Sequence, residues 1–163
     1  MTVKKRAPQR PRESPVVRYD ITLRDVTTKS IHFICTRSPL DKFDANYSCQ
    51  IQPQLLRREE TEFEISLSVT IVFKNSDERP FDASFMIAGV YTHKPGLPES
   101  VVDYFVNVNG PVMLWPHMRE LVASVTMRAG FRPLYLETID VAKFQESAIQ
   151  RLTTPANENA AKN

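Results

Sequence analysis

Apolar and polar residues alternate most regularly over "FEISLSVTIVF", residues 63–73. Phe63, Ile65, Leu67, Val69, Ile71 and Phe73 fall on odd positions, with Glu64, Ser66, Ser68 and Thr70 between them. A period of two, rich in β-branched residues, predicts a strand with one buried face. The polar stretch "KNSDERP" follows. Then 81–93 resumes the alternation, with Phe81, Ala83, Phe85, Ile87 and Tyr91 on one side. Two such runs across a polar turn predict an antiparallel hairpin. Upstream, "SIHFICT" (30–36) predicts a shorter strand. "DANYSCQIQPQLL" (44–56) predicts another, and Pro53 places it at an edge or an end.

Beyond Pro95 the period lengthens. Pro98 and Glu99 open a helix carrying Val101, Val102, Phe105 and Val106, and Asn109-Gly110 is expected to stop it. Pro116 suits the first turn of a second helix, where its missing N–H costs nothing. Met118, Leu121, Val122, Val125 and Ala129 recur there at three- and four-residue intervals, and Gly130 can end the helix in a left-handed conformation. Asp140 can cap a third helix over 140–152, whose Val141, Phe144, Ala148 and Leu152 mark one face. Strands first and helices second predict an α+β fold: four strands followed by two or three helices.

Length and charge refine this picture. The 163 residues suit one domain, and 42% apolar with 25% charged is the balance of a globular chain. No apolar run approaches the roughly 20 residues needed to span a bilayer, so no membrane insertion is expected. The N-terminus has no apolar stretch behind its basic residues, so it does not read as a secretory signal, and the expected compartment is the cytoplasm. Residues 1–16 carry Lys4, Lys5, Arg6, Arg10 and Arg12 against Glu13, a sum of +4, so the remainder carries 2 − 4 = −2. The expected organisation is a disordered basic arm over 1–16, a folded domain over 17–153 and a disordered tail over 154–163.

Candidate chemistry is sparse. His32, His93 and His117 are isolated, and four glycines form neither GxGxxG nor GxxxxGK[ST]. Cys35 and Cys49 form no CxxC and are expected to be free thiols. No catalytic residue, metal or cofactor is expected, and the chain does not read as an enzyme. The basic arm could hold a phosphate backbone, but it lacks the interleaved aromatics of a stacking platform.

What stands out is apolar supply. Val101, Tyr104, Phe105, Met113, Leu114 and Trp115 crowd one short span, and the helix over 116–129 is apolar over a wide arc. Either that helix is deeply buried in the monomer or it is sandwiched between subunits; periodicity leaves both open.

At this point the order of residues resembles a known family. Ile87-Ala88-Gly89, then Leu114-Trp115-Pro116-His117-Met118-Arg119-Glu120, then Gly130, then Pro133-Leu134-Tyr135-Leu136, is similar to the SecB family of export chaperones. The resemblance is good over roughly 60 residues of the C-terminal half, 85–145. It runs collinear but weaker over the strands before them. It implies a four-stranded antiparallel sheet with helices, assembled as a homotetramer that is a dimer of dimers. Met118, Leu121, Val122 and Val125 would then lie at an oligomer interface. It implies an ATP-independent holdase that takes unfolded preproteins in apolar grooves and passes them to SecA. By position it implies Phe43, Tyr47, Ile51 and Phe144 as groove residues; ordinary core or loop anchoring is the other reading of each. The basic arm depart from the family's acidic habit, as do Ser30 and Ile34 in the first strand. A SecB-like chaperone dedicated to one client, such as an antitoxin, is therefore a second reading. A nucleic-acid-binding regulator working through the arm is a third, from a different class.

Overall fold

In a computed structural model of the chain, residues 20–40, 46–75, 77, 79–140 and 146 are described. The expected arm 1–16, the tail 154–163, the groove candidates Phe43 and Phe144 and nearly all of the helix expected over 140–152 lie outside them.

Four strands, β1 (Thr22–Cys35), β2 (Tyr47–Arg58), β3 (Glu62–Phe73) and β4 (Phe81–Thr92), form one antiparallel sheet in the order β1-β4-β3-β2. β2, β3 and β4 are joined by short turns. The β1–β2 connection returns the chain from one edge of the sheet to the other, so β1 and β2 are both edge strands. The odd residues of β3 face those of β4: Leu67 opposes Ile87 and Val69 opposes Phe85. All six apolar positions of β3 named above are buried, as their period of two requires.

β1 begins well before the expected residue 30. Register shifts at Leu23/Asp25 and Thr28/Ser30 interrupt its ladder with β4. Each bulge resets the alternation, so no single period runs through "TLRDVTTKS".

The helical part also departs from expectation. α1 (Glu99–Tyr104), a π turn (Phe105–Asn109) and α2 (Gly110–Arg128) run on as one continuous helical element, not two helices. Asn109-Gly110 does not stop it, since both residues have right-handed helical dihedrals. Gly110 serves close approach: a Cβ there would lie 2.7 Å from Ile65 Cδ1 on the sheet. Pro116 is correspondingly inside α2 and not in its first turn. Gly130, at φ +88°, ends α2 as expected.

α2 lies on the face formed by the odd residues of β3 and β4. The residues it buries most deeply are Leu114, Met118, Val122 and Thr126, one every four positions. Met118 and Val122 are fully enclosed by the chain's own core. These two of the four expected interface residues face the sheet, and their burial is complete within one chain. Leu121 and Val125, the other two, are half-buried on its flank. Two aromatic groups close the ends of the core. Phe63, Tyr91 and Phe105 pack at one end, and Phe33, Phe73, Phe81 and Phe131 at the other.

Among the described residues no helix lies on the opposite face of the sheet, which is largely polar. Glu62 is paired with both Arg24 and Arg57, Glu64 with Lys29 at 2.7 Å, and Asp82 with Arg79 at 2.7 Å.

Candidate functional site

Past Gly130 the chain turns back across α2 as an irregular strap over 131–140. Hydrogen bonds at four consecutive residues, Leu134 to Glu137, fasten its middle. Leu134 N–H donates to the buried Thr126 Oγ1 at 3.0 Å, and Tyr47 Oη donates to the Tyr135 carbonyl at 3.1 Å. Arg119 Nε donates to the Leu136 carbonyl at 2.8 Å, and Trp115 Nε1 to the Glu137 carbonyl at 2.9 Å. Trp115 and Arg119 are four residues apart, so they lie one turn apart on the same side of α2. Leu136 itself is fully buried and anchors the strap in the core. The two sequence elements Leu114–Glu120 and Pro133–Leu136 are thus the two halves of one fastening.

Between this strap and edge strand β2 lies a groove of about 480 Å³. One wall is β2, with Tyr47, Cys49 and Ile51 half-buried on its odd side and Asn46 and Ser48 beside them; Trp115 and the strap residues Glu137 to Ile139 complete the lining. Two of the four expected groove residues, Tyr47 and Ile51, are therefore brought together here. Trp115, Cys49 and Ile139 are groove residues that the strand and helix patterns did not single out. Their place depends on how the strap crosses α2, and the contact between Trp115 and Glu137 spans 22 positions of chain.

On the far side of the strap, Arg119, Glu120, Ala123, Ser124, Met127, Pro133 and Tyr135 line a second hollow of about 440 Å³. Met127 and Tyr135 are strongly exposed in it, at 56% and 68%.

The groove sets the side chains of Tyr47, Cys49, Ile51, Trp115 and Ile139 beside the polar Asn46, Ser48 and Thr138 and one carboxylate, Glu137. Burial pushes the Cys49 thiol up to about 11, with the negative charge of Glu137 adding to it. Tyr47 is raised from its ordinary value by burial first, then by Cys49 and Glu137, with the Arg119 cation opposing. A thiol so placed is protonated and inert near neutrality. Alkylation of Cys49 by iodoacetamide should therefore lag behind that of the exposed Cys35 at pH 8 and keep accelerating as pH rises toward about 11. Peptide mass spectrometry of the two thiols measures this directly. Equal rates at pH 8 would contradict the enclosed position of Cys49.

His93 packs its ring on Phe63, with centroids 5.5 Å apart. Among the described residues, no group of three or more His, Cys, Asp or Glu side chains is placed to share a metal ion, and no helix is long and apolar enough to cross a membrane.

Comparison with known proteins points in one direction. Residues 20–151 match the model of the family described as preprotein translocase subunit SecB. A protein-export protein SecB of Xanthomonas oryzae pv. oryzae is 28% identical over 134 residues, which cover 80% of this chain and 78% of that protein. One from Paraburkholderia xenovorans is 32% identical over 105 residues, covering 64% and 65%. Among solved structures, the Mycobacterium tuberculosis SecB-like chaperone Rv1957, in complex with a ChAD peptide from the HigA1 antitoxin, has a similar fold. It gives a TM-score of 0.65 at 21% identity, covering 73% of this chain and 90% of that one.

Proposed function

The chain belongs to the SecB family of chaperones, and from that premise we propose that it is an ATP-independent holdase whose client site is the groove between β2 and the strap. The observation that carries this reading is the groove itself: an open channel beside an edge strand, in which Tyr47, Cys49, Ile51, Trp115 and Ile139 form an apolar strip among the polar Asn46, Ser48, Glu137 and Thr138. An unfolded polypeptide exposes apolar side chains that such a channel buries at about 25 cal/mol per Å², without reading a particular sequence. Phe43 and Phe144 belong to the same client site in this reading. The second hollow beyond the strap, with exposed Met127 and Tyr135, offers a further adaptable apolar surface.

The same reading makes the protein a cytoplasmic homotetramer, a dimer of dimers, without metal, cofactor or enzymatic activity. Leu121 and Val125 are the flank of α2 offered to another copy. Its clients are unfolded preproteins, with SecA as the acceptor. A second reading, a chaperone dedicated to one client such as an antitoxin, is favoured by the open face of the sheet. There Glu62, Glu64 and Asp82 are each neutralised by an arginine or lysine, so the face offers little net negative field to a SecA motor. That the SecB-like chaperone of similar fold was solved with an antitoxin peptide agrees with it.

Light scattering tests the holdase reading. A stoichiometric amount of the full chain should suppress aggregation of a chemically unfolded protein on dilution, in the absence of ATP. Unchanged aggregation would end this reading in its general form; suppression confined to an antitoxin client would favour the second.

A further inference from the structure

The hydrogen-bond phase of edge strand β2 can be read from its end. Lys74 N–H donates to the Asn46 carbonyl at 3.1 Å, in the register that places Tyr47 opposite Phe73. Bonded and non-bonded pairs alternate along an antiparallel ladder. Ser48, Gln50, Gln52 and Gln54 therefore turn their N–H and C=O groups toward β3. The Gln54 carbonyl agrees with this, since it accepts from Ser66 Oγ at 3.5 Å. The main-chain groups of Tyr47, Cys49, Ile51 and Pro53 then point to the free edge of the sheet. Among the described residues none of them has a main-chain partner there.

Pro53 falls at this parity for a reason. A missing N–H costs the ladder nothing where it would have faced outward, and the ring blocks further pairing along the edge. The unblocked part is Tyr47 to Ile51. The same three residues, Tyr47, Cys49 and Ile51, send their side chains into the groove. Side chain and main chain thus offer one visitor two kinds of contact at once.

We propose that the occupant is an extended segment of unfolded polypeptide, held by strand addition to β2 from Tyr47 to Ile51 and terminated at Pro53. This rests on the groove being the client site. Residues of the segment opposite Tyr47, Cys49 and Ile51 project from the same face of the sheet, into the groove and toward Trp115 and Ile139. Those between them lie over the side of Ser48, Gln50 and Gln52. The segment recognised is therefore one with apolar side chains at alternate positions and free amides between prolines. Main-chain pairing supplies affinity that no folded client can take, because a folded client's backbone is already bonded.

The test compares Cys49→Pro with Cys49→Ala in the full chain, with reduced and carboxymethylated α-lactalbumin as the unfolded probe. Proline removes an N–H that faces only the free edge; alanine keeps it. Fluorescence anisotropy should show Cys49→Pro binding about tenfold more weakly than Cys49→Ala, which loses the same thiol from the groove but keeps the N–H. Equal losses, or none for Cys49→Pro, would overturn the proposal. Amide exchange on the unsubstituted chain decides the matter should the proline variant not fold. The amides of Tyr47, Cys49 and Ile51 should exchange freely and slow on probe binding, while those of Ser48, Gln50 and Gln52 are protected throughout. A probe that binds and leaves the three odd amides unprotected overturns strand addition and spares the holdase reading. Protection before any probe is added shows the edge taken by residues 141–163 or by a second copy, and also overturns it. A probe that does not bind the parent chain at all removes the holdase reading itself.

Discussion

Ile51→Asp is expected to weaken binding of an unfolded polypeptide at least about tenfold while leaving the chain folded. Ile51 is half-buried on an edge strand and lines the groove, so the fold does not depend on its enclosure. Its main-chain groups face the free edge, and the ladder to β3 is carried by its even neighbours. Covering a full aliphatic side chain with a client contributes about 1.5–3 kcal/mol. A carboxylate in its place must instead be stripped of water, at a cost of several kcal/mol. Glu137, on the opposite wall, adds like-charge repulsion. One tenfold step is about 1.4 kcal/mol, so the loss should exceed that readily. Ile51→Val keeps most of the apolar surface and should bind nearly as the parent does. Anisotropy of a labelled unfolded probe measures both, with circular dichroism as the check on folding. A folded Ile51→Asp chain of parental affinity would move the client site out of this groove. Met127, in the second hollow, would be the next position to substitute.

Why the groove was only half legible in the chain follows from where its walls come from. β3 and β4 could be read almost residue by residue, because a central strand buries one face and period two records that burial locally. Tyr47 and Ile51 were placed by resemblance and by their strand. Trp115 was visible as surplus apolar surface, yet nothing local says that its indole N–H ties down the carbonyl of Glu137. That tie builds the second wall. Phe43 and Phe144, the other two groove candidates, lie outside the described residues. The phase of β2 was hidden for a similar reason, since Pro53 signals an edge but a ladder bond between Asn46 and Lys74 is needed to say which groups face out. The helical span failed at Gly110, where one residue type carries two meanings. Glycine can stop a helix, or it can let a helix approach a sheet, and only Ile65 beneath it distinguishes them.

The apolar arc of α2 raises the same ambiguity on a larger scale, and two aspartates resolve it. Val122→Asp should leave the chain unfolded, whereas Leu121→Asp should leave it folded but unable to assemble. Val122 is fully enclosed against the sheet. An unpaired carboxylate there costs several kcal/mol on top of the lost apolar contact. That sum rivals the roughly 5–15 kcal/mol by which whole domains are stable. Leu121, one residue on, is turned about 100° around the helix and is only half-buried. In a single chain its replacement leaves an aspartate within reach of water, a change worth about 1 kcal/mol. If another copy covers this flank, the same carboxylate must be buried at the contact, and association should weaken about a hundredfold or more. Sedimentation velocity and circular dichroism together separate the outcomes. A folded Leu121→Asp chain that sediments as the parent assembly would show that no subunit covers this flank. A folded Val122→Asp chain would mean that α2 does not lie on the sheet as described, and the groove would lose the wall that Trp115 gives it.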